Sequence, residues 1–211
     1  MKIALVNESS QVSKNQLVYE VLKDTVLPLG HEVFNYGMSE DDQAYNISYV
    51  EAGLLSAVLL NSHAVDFVIT GCGTGEGACL AANIYPNVYC GYVKDPSDAF
   101  LFSQINSGNA VSLPLAKEFG WCAELNLKYV FRELFSCEHG MGYPPERGPV
   151  QKEFRDIFYK VKGQVSKEML QILKDLDRDI LTKTFGGKNF RSQYFRYVPD
   201  SPLKTFMAKL A

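Results

Sequence analysis

The stretch that most constrains this chain is a glycine-rich turn between a predicted strand and a predicted helix. It reads Gly71-Cys72-Gly73-Thr74-Gly75-Glu76-Gly77, and we call residues 71–77 the glycine turn. The preceding run, Val65 to Thr70, is β-branched and aromatic and predicts a buried strand. The following run, Ala78 to Asn83, is small and apolar and predicts a helix that packs closely on a sheet.

Glycines at the start of a helix need a reason, because each is about 1 kcal/mol less favourable there than alanine. One reason is a ligand that approaches bare N–H groups at the positive end of a helix, such as a phosphate, a carboxylate or an enediolate. The other is a tight turn without a ligand, and the glycines alone leave both open. The turn is not a Walker loop, since no Gly-Lys-Ser/Thr follows, and its even spacing matches a dinucleotide fingerprint poorly.

Composition narrows the possible function classes. The 211 residues suffice for one domain with an elaboration, or for two small domains, of a globular protein. A net charge of −3 gives no electrostatic reason to expect nucleic acid or an anionic membrane as a partner. No apolar run approaches the length of a membrane span, and a signal peptide's features are missing from the first residues, so we expect a cytoplasmic protein.

The cysteines and histidines predict neither disulfides nor a metal site. The five cysteines are odd in number, lie mostly in apolar segments and show no Cys-x-x-Cys spacing. The three histidines, His31, His63 and His139, are widely separated in the sequence.

Strands and helices alternate through residue 135, which predicts an α/β fold with a parallel sheet covered on both faces. The predicted strands are 2–6, 31–36, 65–70, 88–93 and 110–113; the predicted helices are 12–27, 47–60, 95–105 and 116–135, besides the one after the glycine turn, with 37–45 as a polar loop. Ligands of such sheets bind at the carboxyl ends of the strands. Asn7, Glu8 and Ser9 follow the first strand there, although Ser9 is also suited to cap the next helix.

The chain changes character after residue 138. A turn-rich connector, 140–149, leads to a helical tail with an apolar stripe at about 166–184 and then a basic-aromatic stretch from Arg191 to Tyr197. We predict a first domain of residues 1–138 and a helical C-terminal extension of residues 139–211, which packs on a partner subunit.

Five short motifs carry a family resemblance. They are Met1-Lys2-Ile3-Ala4-Leu5, Gly71-Cys72-Gly73-Thr74-Gly75, Ala81-Ala82-Asn83, Asp95-Pro96 and Asn106-x-x-Asn109. In this order and spacing they resemble the ribose-5-phosphate isomerase B and galactose-6-phosphate isomerase family over about residues 1–135. The resemblance implies a Rossmann-like three-layer αβα fold around a five-stranded parallel sheet, a homodimer or tetramer, and an aldose–ketose isomerase without metal or nucleotide cofactor.

The resemblance also implies a mechanism. A base moves a proton between C1 and C2 through a cis-enediolate, and hydrogen-bond donors stabilise the oxyanion. Cys72 stands where many members carry the catalytic cysteine, and a helix N-terminus favours the thiolate that a base requires. The anion hole is formed by the backbone of Gly73, Thr74 and Gly75, with Thr74 counted among the catalytic residues. Other members use a glutamate at the position of Glu76, which is therefore the second candidate base, or simply a carboxylate stabilised by the helix dipole.

Departures from the family pattern bear on the substrate. Glu8-Ser9 replaces Asp-His, Ile105 replaces a histidine credited with opening the sugar ring, and no arginine follows the fifth strand. These departures indicate an open-chain substrate without phosphate. The chain is similar to a divergent branch that converts 4-deoxy-L-threo-5-hexosulose-uronate to 2,5-diketo-3-deoxygluconate, through Asn7-Glu8, Ser103-Gln104-Ile105-Asn106, Phe119-Gly120-Trp121 and the long tail.

The sequence therefore predicts a site for a sugar or sugar acid. The expected substrate-binding residues are Asn7, Glu8, Ser9, Gly71, Gly73, Gly75, Asn106, Asn109, Lys117 and Arg147. Lys117 or Arg147, from the same or a neighbouring subunit, is the expected cation for a substrate carboxylate. The alternative is a non-catalytic module that binds a small anion or sugar; a nucleotide-binding protein is a third possibility, against which the poor fingerprint argues.

Overall fold

The computed structural model describes residues 1–40 and 45–210; residues 41–44, part of the predicted polar loop, and residue 211 lie outside the described residues. The strands are β1 (Lys2–Asn7), β2 (Glu32–Asn35), β3 (Phe67–Cys72), β4 (Cys90–Tyr92) and β5 (Ala110–Pro114). The helices are α1 (Val12–Val26), α2 (Tyr49–Asn61), α3 (Glu76–Asn83), α4 (Pro96–Leu101), α5 (Ala123–Phe135), α6 (Gly148–Val165), α7 (Met169–Asp175), α8 (Arg178–Phe185), α9 (Lys188–Tyr197) and α10 (Pro202–Ala208). Within the described ranges, every helix is too short or too polar to cross a membrane.

The strands form one parallel sheet in the order β2-β1-β3-β5-β4, which confirms the predicted α/β architecture. The chain passes from β1 to β2 on one side and then returns to β3 on the other side of β1. A topological switch point therefore lies between β1 and β3, where Asn7 pairs with Gly71. Open α/β sheets bind their ligands outside the carboxyl ends of the strands at such a point.

Alternation along the strands divides the core between the two faces of the sheet. One face carries Ile3, Leu5, Phe67, Ile69, Val111 and Leu113, which pack with residues of α1 and α5. The other face carries Ala4, Val6, Val68 and Ala110, which pack with α2 and with the C-terminal helices. The three layers predicted from the family resemblance are thus formed.

The C-terminal extension covers α2, which explains an unusual helix. Residues 51–60 of α2 are all buried, and a helix apolar on all sides requires cover on all sides. On the outer side, α8 contacts α2. Phe190 and Tyr194 of α9 lie in the same hydrophobic core as α2 and complete that cover. The aromatic part of the basic-aromatic stretch therefore packs on this chain, whereas Arg191 and Arg196 are exposed.

Two predicted helices differ from the structure. The helix predicted at 116–135 begins at Ala123, because Glu118 and Cys122 have φ angles of 61° and 66°, which an α-helix does not accommodate. The helix predicted at 166–184 is divided into α7 and α8, because Leu176 and Asp177 adopt extended dihedral angles. The 18-residue α6 follows the connector, where the sequence predicts a helical tail without the bounds of this helix.

Candidate active site

The glycine turn lies at the switch point, between the end of β3 at Cys72 and the start of α3 at Glu76. Gly75 has a φ of 80°, a conformation that favours glycine. A Cβ on this residue would also lie 2.7 Å from Tyr92 Cε2 and 2.9 Å from the carbonyl carbon of Leu113. Both dihedral angle and space therefore require glycine at this position.

The backbone of the turn has free donors. Among the described residues, the N–H groups of residues 73–75 donate no hydrogen bond. The carbonyls are engaged: Gly73 O accepts the Lys117 N–H at 2.9 Å, and Gly75 O accepts from Ser112 Oγ at 2.5 Å. The turn is therefore fixed through its carbonyls and leaves three N–H groups free beside the N-terminus of α3, an arrangement suited to an oxygen anion.

The three predicted catalytic residues come together at this turn. Cys72 is 7% exposed, and its Sγ lies 4.0 Å from Thr74 Oγ1. The Thr74 hydroxyl in turn accepts the backbone N–H of Glu76 at 3.3 Å. Glu76 is exposed, and its Oε1 lies 3.6 Å from Lys117 Nζ. Of the two predicted cations, Lys117 is thus beside the glycine turn.

Asn7 and Gly71 lie at the switch point but are enclosed in the structure. The Asn7 carboxamide donates to the Gln11 and Met38 carbonyls, both at 3.1 Å, and accepts from Asn15 Nδ2 at 2.5 Å, with 1% of the residue exposed. A Cβ on Gly71 would lie 2.6 Å from Leu113 O. Both residues therefore lie beneath the site, where they pack within the protein.

Glu8 and Ser9 begin the turn that leads from β1 into α1. Glu8 is 5% exposed, and its carboxylate accepts from Ser10 N at 2.8 Å and from Ser10 Oγ at 2.5 Å. Ser9 is half-buried and donates its backbone N–H to Ile47 O at 2.9 Å. Glu8 therefore fills the capping role that Ser9 was suited for, at the start of the short 3-10 turn before α1.

Three predicted substrate-binding residues are not brought to the glycine turn within one copy. Asn106 ends the π-helical turn that follows α4, and Asn109 precedes β5, so both lie at the amino edge of the sheet. The Asn109 carboxamide is engaged with Tyr89 N and Asn87 O at 2.8 and 2.7 Å. Arg147 is exposed in the 3-10 turn before α6.

Two residues that the sequence did not single out flank the turn. A Cβ on Gly73 would lie 3.7 Å from Gln11 Nε2. The ring of Tyr92 lies against Gly75, and Lys117 Nζ is 6.0 Å from the ring centroid. The only available signal was the position of Tyr92 at the carboxyl end of a strand; the position of Gln11 depends on side-chain contacts.

A pair of thiols lies further along α3. Cys79 Sγ donates to Cys90 O at 3.4 Å. A hydrogen bond from the Cys90 thiol lowers the pKa of Cys79 to about 7, against the opposing effect of burial and with help from Asn83. The same hydrogen bond, with burial, raises the pKa of Cys90 well above its usual value. In the part of the chain that is described, no three His, Cys, Asp or Glu side chains cluster as metal ligands.

Comparison with known proteins identifies the family. Residues 3–120 match the family model described as Ribose/Galactose Isomerase, which is more than half of the chain. The chain belongs to this family. Residues 165–210, in the extension, match a second model described as Ribose-5-phosphate isomerase. No curated protein matches the sequence.

Solved structures extend this likeness to the whole chain. A 4-deoxy-L-threo-5-hexosulose-uronate ketol-isomerase complexed with a tartrate is 48% identical, with a TM-score of 0.96 over 100% of this chain and 99% of that chain. A ribose-5-phosphate isomerase from Vibrio parahaemolyticus is 42% identical, with the same TM-score and the same coverage. A type B ribose 5-phosphate isomerase from Leishmania infantum, 15% identical with a TM-score of 0.64 over 77% of this chain and 97% of that chain, shares the fold.

The protein is therefore an aldose–ketose isomerase of the ribose/galactose isomerase family. This confirms the predicted family and the predicted enzyme class.

Proposed function

We propose that this isomerase converts 4-deoxy-L-threo-5-hexosulose-uronate to 2,5-diketo-3-deoxygluconate, with Cys72 as the base. The observation that carries the proposal is the set of three free N–H groups at residues 73–75 beside the Cys72 thiol. An enediolate needs donors at its oxygen and a base at its carbon, and the glycine turn supplies both. The ketol-isomerase that is 48% identical over the whole chain supports the identity of the substrate.

In the proposed reaction, the Cys72 thiolate removes the proton from C2 of the open-chain aldehyde. The C–H electron pair forms the C1–C2 double bond, and negative charge moves onto O1, where the N–H groups of residues 73–75 stabilise it. The thiol then returns its proton to C1 while the hydroxyl proton moves from O2 to O1. The proton and the charge are thus both restored, and the product is the ketose.

We assign the substrate carboxylate to Lys117. Its side chain is about half exposed, and its ammonium group lies 3.6 Å from Glu76 Oε1, so Glu76 holds the cation beside the turn. Carboxylate binding by an ammonium group is a charge-assisted interaction that needs no arginine fork. Glu76 remains the second candidate for the base, and the experiment must separate the two roles.

The test is turnover of four substrates: the hexosulose-uronate, ribose 5-phosphate, allose 6-phosphate and galactose 6-phosphate. We expect turnover of the uronate only, a loss of about a thousandfold or more in kcat for Cys72→Ala, and no loss for the exposed thiol variant Cys137→Ala. Glu76→Gln should raise KM for the uronate more than it lowers kcat. A Glu76→Gln variant without turnover, beside an active Cys72→Ala, would assign the base to Glu76; turnover of a phosphosugar would contradict the substrate.

We further propose that a second copy of this chain completes the site. A groove of about 1230 Å³ runs along the open edge of β4 between α3 and α4 to α6. The apolar face of α6 is exposed along it: Phe154, Phe158, Val161 and Val165 are between 49% and 79% exposed. Apolar surface of this extent in one patch is typical of an interface.

A two-fold axis perpendicular to β4 would bring the grooves of two copies together, with the β4 strands of the two copies running in opposite directions. The amino edge of one copy would then meet the carboxyl edge of the other, as an isologous interface requires. Asn106 would reach the second copy's glycine turn in this arrangement; it is exposed, and its carboxamide makes no hydrogen bond with the described residues. In this proposed arrangement, the C-terminal extension would contact a partner subunit through α6.

The oligomer is tested by sedimentation of the wild type and of a Phe154→Glu/Val165→Glu variant. We expect a dimer or tetramer for the wild type, a monomer with lowered turnover for the variant, and no change for Lys160→Glu, a charge reversal of an exposed residue on the same helix. A monomeric wild type with full turnover would overturn this proposal and leave the proposed reaction intact.

A further inference from the structure

The carboxamide of Gln11 lies beside the glycine turn and has no role in the reaction described above. Gln11 ends the 3-10 turn Ser9–Gln11 and is 6% exposed. Its Nε2 would be 3.7 Å from a Cβ on Gly73, where the other neighbour is the methyl group of Ala116 at 3.8 Å. The space where Gly73 lacks a side chain is thus bordered by the polar carboxamide of Gln11 and the apolar methyl group of Ala116.

A short chain of hydrogen bonds fixes the orientation of this carboxamide. The Glu8 carboxylate accepts, so the Ser10 hydroxyl donates its hydrogen to Glu8 Oε1 at 2.5 Å. The Ser10 oxygen is then left to accept, and it does so from Gln11 Nε2 at 2.8 Å. The nitrogen of Gln11 is therefore assigned by the network, and its amide plane is held by the buried Glu8.

The remaining capacity of Gln11 is free. One N–H and the Oε1 atom of Gln11 make no hydrogen bond with the described residues. Oε1 is not one of the fully buried polar atoms that lack a partner, so part of its surface is accessible. A buried carboxamide with one fixed N–H and one free donor–acceptor pair matches two neighbouring oxygens of a sugar: Oε1 accepts from a hydroxyl while the N–H donates to the next oxygen.

We propose that Gln11 is a specificity residue, which binds two adjacent oxygens of the substrate at the glycine turn, with Ser10 and Glu8 as positioning residues. The identity of the substrate rests on the proposed function, whereas the contact itself rests on the geometry of Gln11. A site built to hydrogen-bond a hydroxyl discriminates strongly against analogues that lack it, because its own polar groups are then left unpaired.

The test compares Gln11→Met, which keeps the length of the side chain without its hydrogen bonds, with Ser10→Ala and with Gln16→Met. Gln16 is an exposed glutamine on α1 and serves as the matched control. Steady-state kinetics with the hexosulose-uronate and calorimetric titration with tartrate are measured for each. We expect kcat/KM to fall about 10- to 100-fold for Gln11→Met, tartrate binding to weaken in parallel, and Ser10→Ala to lie between this variant and the wild type, chiefly in KM.

The outcomes separate the two proposals. Wild-type kinetics and tartrate binding in Gln11→Met would overturn the role of Gln11, as would a loss explained entirely by a lower melting temperature. If the wild type binds tartrate but does not turn over the uronate, and Gln11→Met weakens that binding, the proposed substrate fails and the role of Gln11 stands. A wild type that neither turns over the uronate nor binds tartrate overturns both.

Discussion

The two edges of the sheet use polar groups in opposite ways. At the amino edge, the Asn109 carboxamide donates to Asn87 O and accepts from Tyr89 N, at 2.7 and 2.8 Å. At the carboxyl edge, the N–H groups of residues 73–75 donate to no described residue, and the Cys72 thiol has one long contact, with Thr74, in the described ranges. At the amino edge, polar groups are therefore paired within the protein, whereas at the carboxyl edge backbone N–H groups remain available to a ligand.

Residue type alone is therefore a weak guide to a binding role. Buried polar groups in native proteins are almost all paired, so an unpaired donor is the informative observation. Asn7 illustrates this at the carboxyl edge itself: it lies at the switch point, yet its carboxamide is fully engaged within the protein. Gln11, four residues further on, retains one N–H and its Oε1 without a partner among the residues that the structure describes.

Gly75→Ala should lower the stability of the carboxyl edge more than any other single substitution considered at either edge. Alanine at a φ of 80° costs about 1–2 kcal/mol, and a Cβ 2.7 Å from Tyr92 adds about 1–3 kcal/mol of overpacking. Urea unfolding should therefore show a loss of about 2–5 kcal/mol in the free energy of unfolding.

Gly73→Ala is the matched control in the same turn. A Cβ there meets Gln11 Nε2 and Ala116 Cβ at ordinary contact distances of 3.7 and 3.8 Å, so the fold should keep its stability. The added methyl group occupies space beside the free N–H groups and should lower kcat/KM. Equal stability losses in the two variants would break the distinction between a glycine needed for folding and one needed for a ligand.

Two asparagines of the amino edge should respond differently to substitution by alanine. Asn109→Ala leaves the N–H of Tyr89 and the C=O of Asn87 without their partner, so it should reduce the free energy of unfolding by about 1–2 kcal/mol and leave KM unchanged. Asn106→Ala should keep stability and raise KM, since its carboxamide is exposed. Chemical denaturation and steady-state kinetics of both variants check this. A raised KM for Asn109→Ala would return that residue to the substrate site.

Most of the fold followed from the sequence because its signals are local. Periodicity and turn residues predicted all five strands and the switch-point edge, since each depends on a short window. The sequence does not predict the start of α5, because the left-handed backbone angles of Glu118 and Cys122 cannot be recognised from these residue types. At the site, the motif predicts Cys72, Thr74 and Glu76 as catalytic residues, and the structure brings them together at one turn, where their roles stay predictions. Lys117 lies outside the motif and is predicted only as a nearby cation. Gln11 leaves no signal in the sequence, because its proposed role depends on contacts with Ser10 and Glu8.

Cys79, a thiol away from the glycine turn, should react with alkylating reagents in a pH-dependent way. Because the hydrogen bond from Cys90 lowers the pKa of Cys79 to about 7, alkylation of Cys79 should increase with pH around a midpoint near 7. Cys90→Ala removes that hydrogen bond and should move the midpoint upward. Mass spectrometry of iodoacetamide-treated protein locates the reacting thiol. Unchanged Cys79 reactivity in Cys90→Ala would show that the pair is not coupled.

The smallest effect is a pH dependence at the amino edge. His139 is largely buried against Phe67 and Phe135, and its Nε2 contacts Leu134 O at 2.6 Å. Burial lowers its pKa, against the smaller effect of that backbone contact and with a contribution from His31. The unfolded chain therefore takes up this proton at a higher pH than the folded chain does.

Stability from His139 should accordingly be complete above about pH 6.5, the ordinary histidine value, and should decline as the pH falls toward the folded pKa. Urea unfolding between pH 7.5 and about pH 5 measures this slope, in the wild type and in His139→Phe, which retains the ring packing without the titration. The slope should decrease in His139→Phe and persist in His63→Gln, since His63 is exposed. An unchanged slope in His139→Phe would mean that the amino edge admits water at this ring, and the contrast between a closed edge and an open one would then be weaker than the hydrogen bonds suggest.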